Sequence, residues 1–271
     1  MSIVDELVAI LVGKGIGATR PEGCSASLAA LIRGVEFIFS LREQALMWAV
    51  VPLKSPDEAK SRLAAVLNAT QRRALMFALA ERMIRTLHAT PGIDVVAVVT
   101  ANHEVAAFAR SLQAEVIRHA ADFGTASAFA SAVLHLQPLR LQQLLMIAGD
   151  LPLVSNTALE NLLALADAEP TVVIAPDRHG LGTNALLCSP PEIIAPCFGS
   201  NSFQQHLHAA ESAGIRARVF QDDSLTLDLD VADDIEYLRT HGGASAQHLL
   251  QSLEPIDLSV MTARDMAGVA R

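Results

Sequence analysis

Leu144-Leu-Met-Ile147 is a run of apolar residues with no polar alternation, and it leads straight into Ala-Gly-Asp150-Leu-Pro152. Such a run suits a strand covered on both faces, as in the middle of a parallel sheet between helices. Pro152 forbids further ladder pairing, and Ser155 or Asn156 can cap a following helix. Gly149 is read as a point where the backbone can come close to a ligand. Asp150 then falls at the carboxyl end of a central strand, where open α/β sheets bind ligands. A solvated turn aspartate is the plain alternative, so Asp150 needs partners elsewhere in the chain.

The rest of the chain can build such a sheet. Of its 271 residues 51% are hydrophobic but only 4% aromatic, which predicts an aliphatic core. A formal net charge of −9 argues against a broad nucleic-acid or anionic-membrane surface, while leaving room for a local basic pocket. Cys24, Cys188 and Cys197 lack metal-ligand spacing, and their odd number suits a reducing compartment. No apolar run reaches the ~18 residues of a membrane span. Asp5 and Glu6 stand where a signal peptide would carry positive charge. A cytoplasmic protein is expected, with a homodimer left open.

From Trp48 onward strands and helices alternate. Strands are expected at 48–53, 94–100, 114–118, 171–175, 185–188, 216–220 and 225–229, besides the central one. Helices are expected at about 70–88, 105–112, 125–136, 157–168, 203–213 and from Asp230 or Asp233 to Thr240. This pattern predicts an α/β protein with a three-layer, mostly parallel sheet. Residues 1–46 do not share it: they are either a mis-assigned start upstream of Met47 or a helical extension covering a sheet edge. Residues 47–243 are read as the domain, and 244–271 as a loosely attached tail.

Three features can converge on Asp150. Lys54, Lys60 and Arg62 follow the first strand, at the same sheet edge, and suggest a polyphosphate site; a solvated loop is the alternative. Asp228 and Asp230 are two residues apart on an expected strand, so they share a face. With Asp150 they could form an oxygen-only magnesium site. The loops Gly180-Leu-Gly-Thr183-Asn184 and Gly199-Ser-Asn-Ser202 offer hydroxyls and backbone N–H groups to an anion. His179 and His206 read as loop-ordering or helix-surface residues, and the cysteines as apolar fillers.

Together these segments resemble the phospholactate guanylyltransferase family of deazaflavin coenzyme F-420 biosynthesis. The resemblance rests on Trp48-Ala-Val-Val-Pro-x-Lys54, Ala59-Lys60-Ser-Arg62-Leu63, Asp150-Leu-Pro-Leu153 and Pro176-Asp-Arg-x-Gly-x-Gly-Thr183-Asn184. Phe198-Gly-x-x-Ser202-Phe-x-x-His206 and Leu227-Asp-Leu-Asp230 complete it, in the same order. It implies a nucleotide-diphospho-sugar transferase fold of the glycosyltransferase-A type. It also implies magnesium on Asp150, Asp228 and Asp230, and an acceptor phosphate near Thr183, Gly199 and Ser202. Lys54, Lys60 and Arg62 would then hold the phosphates of GTP. The family's Gly-Leu-Asn is replaced by Gly124-Thr-Ala126, which leaves recognition of the guanine base open.

In the implied reaction a phosphorylated acid attacks the α-phosphorus of GTP and pyrophosphate leaves. The nucleophile is already an anion, so no general base is needed, and charge clamps carry the catalysis. The acid is 2-phospho-L-lactate, 3-phospho-D-glycerate or phosphoenolpyruvate. A leaning to the first two rests on Asn184, whose side chain could receive a hydroxyl or carboxylate. The competing readings are a molybdenum-cofactor guanylyltransferase, a sugar-nucleotide glycosyltransferase and an inactive nucleotide-binding scaffold.

Overall fold

The computed structural model describes residues 46–119, 124–166 and 170–251. The expectations for 1–45 and 252–271 lie outside the described residues.

The first strand, β1 (Trp48–Pro52), is buried at its three central residues, as its unbroken apolar run requires. The helix α1 (Ala69–Ala89) starts one residue earlier than expected. Asn68 is the cap, its side chain accepting from Gln71 N–H while the Gln71 side chain accepts from Asn68 N–H. Then come β2 (Val95–Thr100), α2 (His103–Ser111), β3 (Glu115–Arg118), α3 (Gly124–Leu136) and β4 (Leu144–Ile147). The chain continues through α4 (Asn156–Leu163), β5 (Thr171–Pro176), β6 (Thr183–Ser189), α5 (Ser202–Ser212) and β7 (Arg218–Val219). It closes with a short α6 (Asp223–Thr226), α7 (Ala232–His241) and α8 (Gly243–Gln251).

The sheet order is β3-β2-β1-β4-β6-β5-β7. β6 runs antiparallel to both its neighbours, and every other pairing is parallel. Alternate residues of each strand feed opposite faces. Val51, Val98, Leu145 and Leu187 pack with Met83 and Ile84 of α1 and Leu159 of α4. Val50, Val99, Met146 and Leu186 pack on the other face with Phe129 of α3 and Ala210 of α5. The layers are those expected. Among the described residues no helix is long and apolar enough to cross a membrane.

Two expectations change. Residues 225–229 are not a sheet strand: α6 occupies 223–226, and 227–230 has no regular secondary structure. The alternation survives, because Leu227 and Leu229 are buried against Leu63, Leu75, Ile235 and Leu238. Burying each is worth about 1.5–3 kcal/mol, enough to fix which way Asp228 and Asp230 face. As far as Gln251, moreover, the loose tail is the helix α8, whose Ala246 and Leu249 join that same cluster.

Candidate functional site

The parallel strands β1 and β4 end side by side, so Pro52-Leu53-Lys54 and Ala148-Gly149-Asp150 leave the sheet at one edge. Packing requires Gly149, which also lines a cavity at this edge. A Cβ on it would stand 2.7 Å from Leu53 Cδ2 and 3.0 Å from Val51 Cγ1. The segment 227–230 is tied to the same edge by Leu229 N–H, which donates to the Asp150 carbonyl at 3.2 Å.

Lys60 does not project from a solvated loop. Its backbone is left-handed, at φ 57°, where it caps a turn of 3-10 helix over Ser61–Ala65. A non-glycine residue in that region costs about 1–2 kcal/mol. The turn sends the side chain inward, and its Nζ lies 2.5 Å from Asp150 Oδ2 and 3.1 Å from Asp230 Oδ1. Only 7% of that side chain is exposed. Burial opposes its charge, yet Asp150 and Asp230 outweigh burial and hold the ammonium above its usual pKa. Arg62 lies 3.7 Å from Asp230 Oδ2 and is largely in solvent. Lys54 is exposed.

Asp228 completes the group. Burial, then repulsion from Asp150 and Asp230, pushes its carboxyl up to about 7. Three carboxylates therefore feel one another, and one ammonium compensates two of them. Such a donor set suits a hard divalent cation. Among the described residues, however, no three acidic, histidine or cysteine side chains already converge on a metal position. The Lys60 ammonium stands as the cation between Asp150 and Asp230, and a metal would have to displace it.

A cavity of about 380 Å³ opens on this group. Lys54, Lys60, Arg62, Asp150 and Asp230 line one end of it. Val99, Thr100, Ala101, His119 and the start of α3 at Gly124 and Thr125 line the other. Thr183, Asn184, Gly199 and Ser202 are not among the residues that line it; Thr183 and Asn184 belong to the neighbouring strand β6. Ala148 N–H donates to the Asn184 carbonyl at 2.8 Å, extending the antiparallel β4–β6 register in which Ile147 faces Ala185. One step further along both chains brings Thr183 level with Gly149.

Thr183 and Asn184 are thus the first residues of β6, not part of a loop. The two N–H bonds of the Asn184 amide are taken by the Leu225 and Thr226 carbonyls, at 2.9 and 3.0 Å. That removes the side-chain donor expected for the acceptor. The loop before it is likewise committed. The Asp177 carboxylate accepts from the N–H groups of His179, Leu181 and Gly182, so those groups are unavailable to an anion. What remains is hydroxyl chemistry. Thr183 Oγ1 is buried and 2.9 Å from His206 Nδ1. Ser202 Oγ is buried with no hydrogen-bond partner among the described residues. Gly199, at φ 134°, turns the chain so that its carbonyl accepts from Ser202 N–H at 3.1 Å.

Sequence reasoning missed Asp234. It is buried at 4% exposure and accepts from the N–H groups of Asp230 and Val231, both at 2.7 Å. It also pairs at 2.5 Å with Arg178, whose guanidinium lies over the Tyr237 ring. Asp234 thereby anchors the backbone of Asp230 and ties the 177–182 turn to it. Its position three residues after the helix cap was the available signal. Of the two readings of His206, the helix-surface one fails because it is fully buried, while its bond from Cys197 N–H fits the loop-ordering one.

A mixed, mostly parallel sheet with an acidic group at the end of β4 defines an α/β fold of the nucleotidyltransferase and glycosyltransferase-A type. A Desulfovibrio desulfuricans G20 protein described as a nucleotide-diphospho-sugar transferase shares it, with a TM-score of 0.63 and 15% identity over 76% of this chain and 94% of that one. Residues 47–269 match the family described as "Guanylyl transferase CofC like". Phosphoenolpyruvate guanylyltransferase of Conexibacter woesei is 36% identical over 71% of this chain and 86% of its own length. The 2-phospho-L-lactate guanylyltransferase of Methanothermobacter thermautotrophicus is 29% identical over 76% and 90%. The chain belongs to the guanylyl transferase CofC-like family.

Proposed function

We propose that this guanylyltransferase moves GMP from GTP onto phosphoenolpyruvate or a close phosphorylated acid, as in coenzyme F-420 biosynthesis. An oxygen of the acid's phosphate attacks the α-phosphorus, the bond from that phosphorus to the β-bridging oxygen breaks, and pyrophosphate leaves. The observation that carries this reading is the cation-bridged pair Asp150 and Asp230 at the mouth of a nucleotide-sized cavity.

Magnesium, held by Asp150, Asp228 and Asp230, would neutralise phosphate charge at the reacting centre. Lys60 would then answer the charge of the triphosphate, with Arg62 and Lys54 at the exposed end. The base lies towards Val99, His119 and Thr125. Thr183 and Ser202 receive the acid through neutral hydroxyls, which orient it without binding the ground state as tightly as an arginine would.

Among the acids, phosphoenolpyruvate is favoured over the two that Asn184 suggested. The Asn184 amide N–H groups are occupied, and the Conexibacter relative is named for phosphoenolpyruvate. The test is to incubate the protein with GTP, magnesium and each acid in turn and to weigh the products. A guanylylated phosphoenolpyruvate with pyrophosphate is expected; release of pyrophosphate only with a sugar or a pterin acceptor would overturn the reading.

A further inference from the structure

His206 sits on α5 and is fully buried, with the edge of its ring against Phe198, 5.1 Å between centroids at 70°. Phe198 in turn rests on Phe129, 4.2 Å away. The imidazole therefore cannot turn freely, and its two nitrogens have fixed partners. The Cys197 backbone N–H lies 2.8 Å from Nε2, and because an N–H only donates, Nε2 carries no proton. A neutral ring then holds its proton on Nδ1, which stands 2.9 Å from Thr183 Oγ1. Burial pushes the ring down to about 4, so it is neutral near pH 7.

That tautomer decides what Thr183 can offer. Its oxygen receives a hydrogen bond from the histidine, so its own proton is left for a third partner. With the opposite tautomer Thr183 would donate into the protein and present only lone pairs, which repel an anion. Ser202, on the same helix, holds a second buried hydroxyl without a partner among the described residues. Resting on the acceptor assignment above, we infer that His206 is a positioning residue that fixes the Thr183 hydroxyl as a donor to the phosphorylated acid. The signal travels from the Cys197 amide through the ring to Thr183, without His206 touching substrate.

Two near-isosteric variants separate the links. The side-chain nitrogen of asparagine falls near Nδ1, so His206→Asn can still donate to Thr183 while losing the Cys197 contact. Glutamine places its terminal group near Nε2, so His206→Gln can satisfy Cys197 but not Thr183. With phosphoenolpyruvate as probe, His206→Gln is expected to raise the acid's KM about ten-fold, the scale of one hydrogen bond to a charged group. The KM for GTP should move by less than about two-fold, and His206→Asn should restore the acid's KM even if its Tm falls. In a Thr183→Val background His206→Gln should add nothing. An equal loss in both variants, a matching rise in the KM for GTP, or a full added effect on Thr183→Val overturns the role. Nitrogen-15 shifts of the imidazole in the unaltered protein test it without mutation, because a proton on Nε2 contradicts it directly. Wild-type protein that guanylylates no phosphorylated acid defeats the acceptor assignment and this role together. An active wild type with independent effects of His206→Gln and Thr183→Val defeats this role alone.

Discussion

On the proposed nucleotide side of the site, Lys60, Asp150 and Asp230 hold one another through short ion pairs, and Asp228 is repelled by both carboxylates. On the proposed acceptor side the groups are neutral and buried: the Thr183 and Ser202 hydroxyls, beside His206 and the turn at Gly199. The first side is internally compensated and must exchange partners when its ligands arrive. The second is packed within the protein, and on the proposed reading it must be uncovered for the acid to reach it. The difference follows the chemistry: a triphosphate brings charge that needs answering, whereas a nucleophile must be held without being quenched.

The contrast is tested most severely at Asp150. Asp150→Asn should lower turnover by about a hundred- to a thousand-fold, the scale of losing one preorganised electrostatic contact. Steady-state rates at saturating substrates measure it, and a change confined to the acid's KM would mean that the two sides are not distinct. Thr183→Val should raise the KM for the acid about ten- to a hundred-fold and leave that for GTP nearly unchanged. If GTP suffers instead, the two halves are assigned the wrong way round.

Lys60→Met and Arg62→Met sharpen the picture within the charged side. Lys60 is 7% exposed and Arg62 is 73% exposed, so the arginine should cost only a few-fold in the KM for GTP, within about 1 kcal/mol. The lysine should cost more, and equal effects would show that burial of the ammonium is irrelevant to GTP. The smallest effect concerns pH. His206 is pushed down to about 4 while the unfolded chain titrates near 6.5. Between those values the unfolded state binds the extra proton, so stability is complete above about 6.5 and falls as pH drops towards 4. About 0.7 kcal/mol is expected between pH 7 and pH 6. Denaturant titrations of wild type and His206→Asn check it, the variant giving the flatter slope.

How far these features could be read from the sequence depended on what fixes them. The sheet was legible because strands like Leu144–Ile147 declare their burial one residue at a time. The grouping of Asp150, Asp228 and Asp230 at one edge followed from strand ends and alternation, even though 227–230 proved not to be a strand. Lys60 was legible as a charge but not as a partner, since its carboxylates lie 90 and 170 residues away and only a left-handed turn aims it at them. Asp177, Asn184 and Asp234 hid for a related reason. Each serves backbone groups that could not be located before the chain was folded, and nothing in their spacing separates such service from ligand binding.

The reversed direction of β6 has a consequence for how such enzymes can diverge. β5 delivers the chain to the site, the 177–182 turn bends it over, and β6 carries it away along the same edge, as an antiparallel connection allows. On the proposed assignment, lengthening or reshaping that hairpin would remodel the acceptor side without passing through β1, β4 or the 55–65 segment proposed to meet GTP. With the halves so assigned, donor choice and acceptor choice rest on separate stretches of chain and are free to drift separately.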